Sequence, residues 1–124
     1  LMVVPDHRSA EINSNEIIAR ASAGASSWVD VAKVPNLVRA VQILKSAGFW
    51  IYGADAGGTT LLEIKFPKKT CIIMGSEGSG IARLLQEQCD EIVSIPTCGK
   101  IDSLNVSVAA GVLLYEAYRQ KLEN

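Results

Sequence analysis

Short apolar runs punctuate this chain, and in the stretches between them apolar residues return at helical spacing. "LMVV" (1–4), closed by Pro5, reads as a strand. A polar loop follows, and Asn13 or Ser14 stands where a cap would open a helix through "NEIIARAS". "AGASS" interrupts that helix, and "WVDVAKV" alternates as a strand does. Pro35 and Asn36 open a second helix in which Leu37, Val38, Val41 and Leu44 recur at helical spacing, with Lys45 in the last turn and Gly48 as the stop. "FWIYG" (49–53) and "TCIIMG" (70–75) do not alternate, as expected of strands covered on both faces. Between them "ADAGGTTLLEIKFPKK" is irregular, with a turn at Gly57 and Gly58 and one helical turn near Leu61. "GIARLLQEQC" reads as an amphipathic helix, "EIVSIP" as a strand ended by Pro96, "TCGKIDS" as a loop and "LNVSVAAGVLLYEAYRQKL" as a long final helix. This alternation predicts an α/β fold, a mostly parallel sheet flanked by helices. Trp28, Trp50 and Tyr52 fall in strand-like runs and are expected in the core.

Composition narrows the class. The 124 residues are one domain's worth, taken as 1–124, and 48% apolar with 20% charged is an ordinary globular balance. A net charge of −1 gives no global sign of a nucleic-acid partner, so any such contact rests on a local patch or on another chain or domain. Lys65, Lys68 and Lys69 form one small basic cluster, read first as a solvated loop. The cysteines, Cys71, Cys89 and Cys98, are odd in number and make no CxxC pair, which fits a reducing cytosol rather than a disulfide framework. With one histidine, His7, a His-based zinc site is not expected. No run approaches the roughly 20 apolar residues of a membrane span. "LMVVP" has the character of a strand interior, so the sequence is expected to begin inside a longer protein.

The candidate chemistry starts at "IMGSEGSGI" (73–81), a glycine loop between a strand and a helix. Bare main chain and a helix start suit a ligand at the carboxyl end of a parallel sheet. A Walker loop is excluded, because Ile81 and Ala82 follow Gly80 where Lys and Ser or Thr are required. A dinucleotide fingerprint is excluded too, because Gly75, Gly78 and Gly80 are spaced GxxGxG. Glu77 inside the loop disfavours a pyrophosphate and favours a ligand that is neutral or positive there. A glycine turn without a ligand remains an equal reading of the loop alone.

A second stretch, "SIPTCGKIDSLNVSVAAGV" (94–112), changes the balance. Ser103 occupies an N-cap position, and Asn105 brings an amide into a first turn where its propensity is poor. They either cap the helix or face a ligand. Ser107, Ala109, Ala110 and Gly111 permit close backbone approach, expected first as core packing and otherwise as a dimer face.

Together, "IIMGSEGSGI" and "IPTCGKIDSLNVSVAAGVLLYEAYRQ" resemble the second and third signature motifs of the SpoU (TrmH-like) family of AdoMet-dependent RNA 2′-O-ribose methyltransferases, within the SPOUT superfamily. "VVPDHRSAEIN" and "SAGA" are similar to the branch that modifies a guanosine ribose of large-subunit ribosomal RNA. The resemblance implies a deep C-terminal trefoil knot, which the ordinary prior on topology would exclude. It implies that S-adenosyl-L-methionine sits among the loops after the late strands. Gly75, Ile95 and Leu104 would then meet it through backbone, with Met74, Gly78 and Pro96 near, and Glu77, Ser103 and Asn105 would match polar active-site positions. Glu77 is equally read as bracing the loop. The final helix, with Tyr115 and Tyr118 on one face, is implied in a homodimer.

The implied reaction is displacement of the AdoMet methyl by a ribose 2′-oxygen, which requires a proton acceptor because the hydroxyl is a very weak acid. The family credits an arginine of a first motif, N-terminal to this segment. Arg8 lies after that motif and does not replace it. The expectation is therefore a segment lacking its first strand and helix, and inactive alone. Two rivals stand beside the ribosomal-RNA reading: a transfer-RNA substrate, and a non-catalytic RNA-binding or assembly module of the same fold.

Overall fold

The computed structural model describes residues 2–5, 31–75, 80–96 and 106–123. They fall into two compact units, residues 1–40 and 41–124. In the first, β1 (Met2–Pro5) and β2 (Val31–Val34) run parallel, with Met2 opposite Val31 and Pro5 opposite Val34. The helix expected near residues 14–22, together with His7, Arg8 and Trp28, lies outside the described residues.

Helix α1 (Leu37–Ser46) begins and ends where its flanking residues direct. Asn36 is the cap: its Oδ1 accepts from Arg39 N at 3.1 Å and its carbonyl from Ala40 N at 3.1 Å. At the other end Gly48 takes a left-handed φ of 95°, its N–H donates to Lys45 O at 3.0 Å, and Phe49 N donates to Leu44 O at 3.0 Å. This double bond pattern satisfies the last carbonyls of the helix, and Leu44 and Phe49 pack into one cluster beside it. Lys69 Nζ donates to Ala47 O at 3.0 Å, placing a cation at the negative end of the helix.

In the second unit β3 (Trp50–Thr60) is the central strand, with β4 (Thr70–Met74) and β5 (Glu91–Ser94) parallel to it on either side. Ile51, Tyr52 and Gly53 are all buried, which is why "FWIYG" shows no alternation. Trp50 corrects the expectation of a core residue. It is 47% exposed, standing at the first position of β3 on the margin of the sheet.

The period of two along each strand sorts the core into two faces. Tyr52, Leu61, Ile64, Val93 and Leu113 form one cluster, with Ala54, Ile72, Met74 and Ile95 packed against it. Val41, Ile51, Ile73 and Ile81 form the other, flanked by Cys71, Leu85 and Cys89. Cys71 and Cys89 are free thiols, and burial pushes both above the ordinary thiol range.

Helix α2 (Arg83–Gln88) is shorter than the sequence leads one to expect, and none of its residues is fully buried. Ala82 stands at its N-cap without a side-chain acceptor, so nothing extends the helix back to Gly80. Ile81, buried just ahead of it, supplies the anchor. Helix α3 (Val106–Glu123) covers the Tyr52 face through Leu113, its one fully buried residue. A β-carbon added at Gly111 would meet nothing within 4 Å, so the small-residue run does not produce close packing at that position. Between β3 and β4, Leu61–Glu63 form the expected single helical turn, of 3₁₀ type.

Candidate functional site

Because β3, β4 and β5 are parallel, their carboxyl ends emerge along one margin of the sheet. Ala54 pairs with both Met74 and Val93; Gly75 leaves the sheet after β4, and Asp55 opens an excursion of β3 that rejoins β5 where Thr59 pairs with Val93 and Thr60 with Ser94. The carboxyl ends of parallel strands are where open α/β sheets bind ligands.

The glycine loop closes on itself at this margin. A β-carbon on Gly75 would lie 2.3 Å from the Gly80 carbonyl carbon and 2.6 Å from Ile81 N. Main chain therefore packs on main chain where the loop leaves β4 and where it returns. Gly80 holds a φ of 70°, a conformation that L side chains rarely adopt. The bareness of Gly75 thus serves the chain's own closure first. Glu77 and Gly78, within the loop, lie outside the described residues, as do Ser103, Leu104 and Asn105.

Of the residues expected near a cofactor, Met74 and Ile95 share one core cluster. Both are half-buried, Met74 at the end of β4 and Ile95 just past β5, and both pack against the cluster that includes Leu113 of α3. Pro96 follows Ile95 and is exposed. Two further residues at the margin carry polar chemistry that the strand and motif reading missed. Asp55 follows directly on the buried part of β3, with its Oδ1 accepting from Ala56 N at 2.8 Å. Its Oδ2 would sit 3.4 Å from a β-carbon at Gly80, so the carboxylate borders the returning end of the loop. Ser94 Oγ donates to Gly58 O at 3.0 Å and pins the 55–58 excursion of β3 to the end of β5. The signal for Asp55 was present in principle: an acidic residue immediately after a buried parallel strand, followed by two glycines.

Away from the margin, Tyr52 meets Phe66 edge to face, with ring centroids 5.0 Å apart. Burial raises the Tyr52 hydroxyl above its ordinary range, and Glu91 and Asp90 add to the shift. The phenol is protonated at neutral pH and serves packing. Cys98 lies outside the described residues. No cluster of His, Cys, Asp or Glu among the described residues has the makings of a metal site. No helix among them is long and apolar enough to cross a membrane.

Half-buried apolar side chains, a glycine loop whose two ends meet and one exposed carboxylate stand on the margin of a parallel sheet in an α/β domain. The chain belongs to the SpoU rRNA Methylase family, which it matches over residues 1–115. Over 121 residues, 97% of the chain, it is 48% identical to an uncharacterized tRNA/rRNA methyltransferase of Mycolicibacterium smegmatis, of which it covers 38%. It is 41% identical over 121 residues to the 23S rRNA (guanosine-2′-O-)-methyltransferase RlmB of Salmonella typhi, covering 97% of the chain and 49% of that protein. Among solved structures, the SpoU methyltransferase AviRb of Streptomyces viridochromogenes, in complex with AdoMet, superposes with a TM-score of 0.79. That match spans 97% of this chain and 47% of AviRb, at 28% identity. The chain thus spans less than half the length of each of these relatives.

Proposed function

We propose that the protein transfers a methyl group from S-adenosyl-L-methionine to a ribose 2′-hydroxyl of RNA, with ribosomal RNA as substrate. The observation that carries this reading is the convergence of Met74, Gly75, Gly80, Ile95 and Asp55 on one margin of a parallel sheet, in a chain of this family. AdoMet, when bound, supplies an electrophilic methyl group on a sulfonium cation. Met74 and Ile95 would offer it an apolar wall, main-chain groups at Gly75, Ile95 and Leu104 would select its adenosine, and Gly78 and Pro96 would adjoin it. Carboxylates suit its positive charge, Asp55 at the described margin and Glu77 within the loop. Ser103 and Asn105, which precede the final helix in the sequence, would orient the ribose, and alignment of the two reactants would do most of the catalytic work. Removal of the 2′-hydroxyl proton falls to an acceptor that none of the residues named above supplies.

The finer architecture belongs to the same reading: a C-terminal trefoil knot, and a homodimer through α3. Val108, Val112, Tyr115, Tyr118 and Leu122 leave an exposed apolar stripe along α3, and Gly111 opens onto space beside it, which supports a helix-on-helix contact with a second copy. Free, half-buried cysteines accord with a cytoplasmic protein.

The test uses the full-length protein. Calorimetry with AdoMet should give a 1:1 saturable heat. Mapping of 2′-O-methyl groups on RNA from cells lacking the gene should show one ribosomal position losing its mark. A lost mark on transfer RNA instead would move the substrate. AdoMet binding with every mark retained would favour a non-catalytic assembly module, and absence of AdoMet binding would overturn the reading.

A further inference from the structure

Among the described residues, two contacts that hold helix α3 to the rest of the second unit stand out. One is apolar, the insertion of Leu113 among Tyr52, Leu61, Ile64 and Val93. The other is polar and lies seven residues later, two helical turns toward the C-terminus. There Gln120 Oε1 accepts from Phe66 N at 2.8 Å, and Gln120 Nε2 donates to Ile64 O at 2.8 Å. One side chain thereby occupies a main-chain donor and a main-chain acceptor of the connector that leads into β4. The chemistry fixes which way the amide faces. Phe66 N is a donor and accepts no proton, so oxygen must meet it, and nitrogen must meet Ile64 O.

Glu116 holds the amide in that orientation. Its Oε2 accepts from Gln120 Nε2 at 2.8 Å, while Arg119 grips the same carboxylate through Nε and a terminal nitrogen, both at 2.9 Å. A second terminal nitrogen of Arg119 reaches Glu123 at 2.6 Å. The connector end of the clamp is fixed as well, because Phe66 stacks edge to face on buried Tyr52.

This arrangement has a geometric consequence. Leu113 alone resists separation of helix from sheet, but an apolar contact tolerates sliding. A bidentate main-chain clamp does not, since a shift of one residue along the helix moves Gln120 about 1.5 Å and turns it about 100°. The clamped connector continues into β4, which ends at Met74 and Gly75. The clamped helix begins immediately after residues 103–105.

We propose that Gln120 is a positioning residue: by gripping Ile64 and Phe66 it fixes the longitudinal and rotational register of α3, and so aligns the start of that helix with the Met74–Gly75 margin. The inference rests on the functional reading above and extends it to a residue far from the cofactor. Gln120→Glu is no substitute, because it sets a carboxylate oxygen against both Ile64 O and Glu116. Gln120→Ala removes both bonds.

The experiment uses the full-length protein, with Leu44→Ala, in α1 beside Phe49 at the amino end of β3, as a control of comparable instability. All are measured at a temperature where circular dichroism shows them folded. Gln120→Ala and Gln120→Glu should weaken AdoMet affinity in calorimetry, and lower kcat at saturating AdoMet, each by about tenfold, the scale of losing ordered hydrogen bonds. Leu44→Ala should leave both within about twofold, as expected at the end of the sheet away from the Met74–Gly75 margin. A second measurement needs no variant: in the wild-type protein, AdoMet should slow hydrogen exchange of the Phe66 amide by about fivefold or more if clamp and margin are coupled. Variants that lose thermal stability but keep wild-type affinity and kcat would overturn the proposal, as would unchanged Phe66 exchange on saturation. Failure of the wild-type protein to bind AdoMet at all would instead strike the functional reading.

Discussion

Gly75 and Gly80 carry different kinds of necessity, and substitutions should separate them. A β-carbon at Gly75 collides at 2.3 Å with backbone that cannot step aside, whereas one at Gly80 meets only the Asp55 carboxylate at 3.4 Å and a strained φ of 70°. Gly80→Ala should cost about 1–2 kcal/mol, the left-handed penalty. Gly75→Ala should cost more, about 2–4 kcal/mol, because the loop must reopen. Urea unfolding of both variants beside wild type checks the order. A titration is also expected. Arg119 and then Gln120, by hydrogen bonding, hold the Glu116 carboxyl down to about 2. Its folded-state value lies below its unfolded one, so this stabilisation is fully present above about pH 4.5, the ordinary carboxylate range, and is lost as pH falls toward 2. Glu116→Gln should flatten the acid limb of a stability-versus-pH curve over that window while leaving the neutral limb parallel to wild type. The group sits at the helix surface, so added salt should shrink the difference.

Helix α3 divides its residues sharply between use and exposure. Leu113 is 0% exposed and touches the central cluster, whereas Leu122, on the same helix, is 67% exposed. Leu113→Ala should therefore destabilise the fold by about 2–5 kcal/mol, as cavity-forming truncations do. Leu122→Ala should stay within about 0.5 kcal/mol for the isolated subunit. Denaturant midpoints at low protein concentration make the comparison. Helix α1 shows the opposite economy: its start, its stop and its buried Val41 follow from local rules, and its neighbours reinforce them.

Taken as a whole, the protein offers more apolar surface on α3 than one chain covers. Tyr115 is 66% exposed and Tyr118 59%, one turn apart on a face that also carries Val108 and Leu122. If a second copy covers that stripe, Tyr115→Glu combined with Tyr118→Glu should convert a dimer to a monomer in light scattering, with helical circular dichroism retained. Two carboxylates opposite their symmetry mates would repel in a desolvated contact. A protein already monomeric at micromolar concentration would remove the homodimer from the proposal.

Much of this was legible in the order of residues alone. Asn36 and Gly48 set the ends of α1 because caps are local, and "FWIYG" gave the central strand because burial on both faces removes alternation. Trp50 was misread because the run does not say where the sheet's margin falls. The length of α2 was misread because amphipathic spacing continues past a point where no cap supports a helix. The partners of Asp55, Ser94 and Gln120 were invisible for a common reason. They lie 25, 36 or 54 positions away, and such meetings depend on how parallel strands and a long helix are brought together. Sequence fixes what each segment tends to become, because propensity, capping and periodicity act over a few residues. Which bare main chain closes on which, and which amide clamps which connector, follows from packing across the fold.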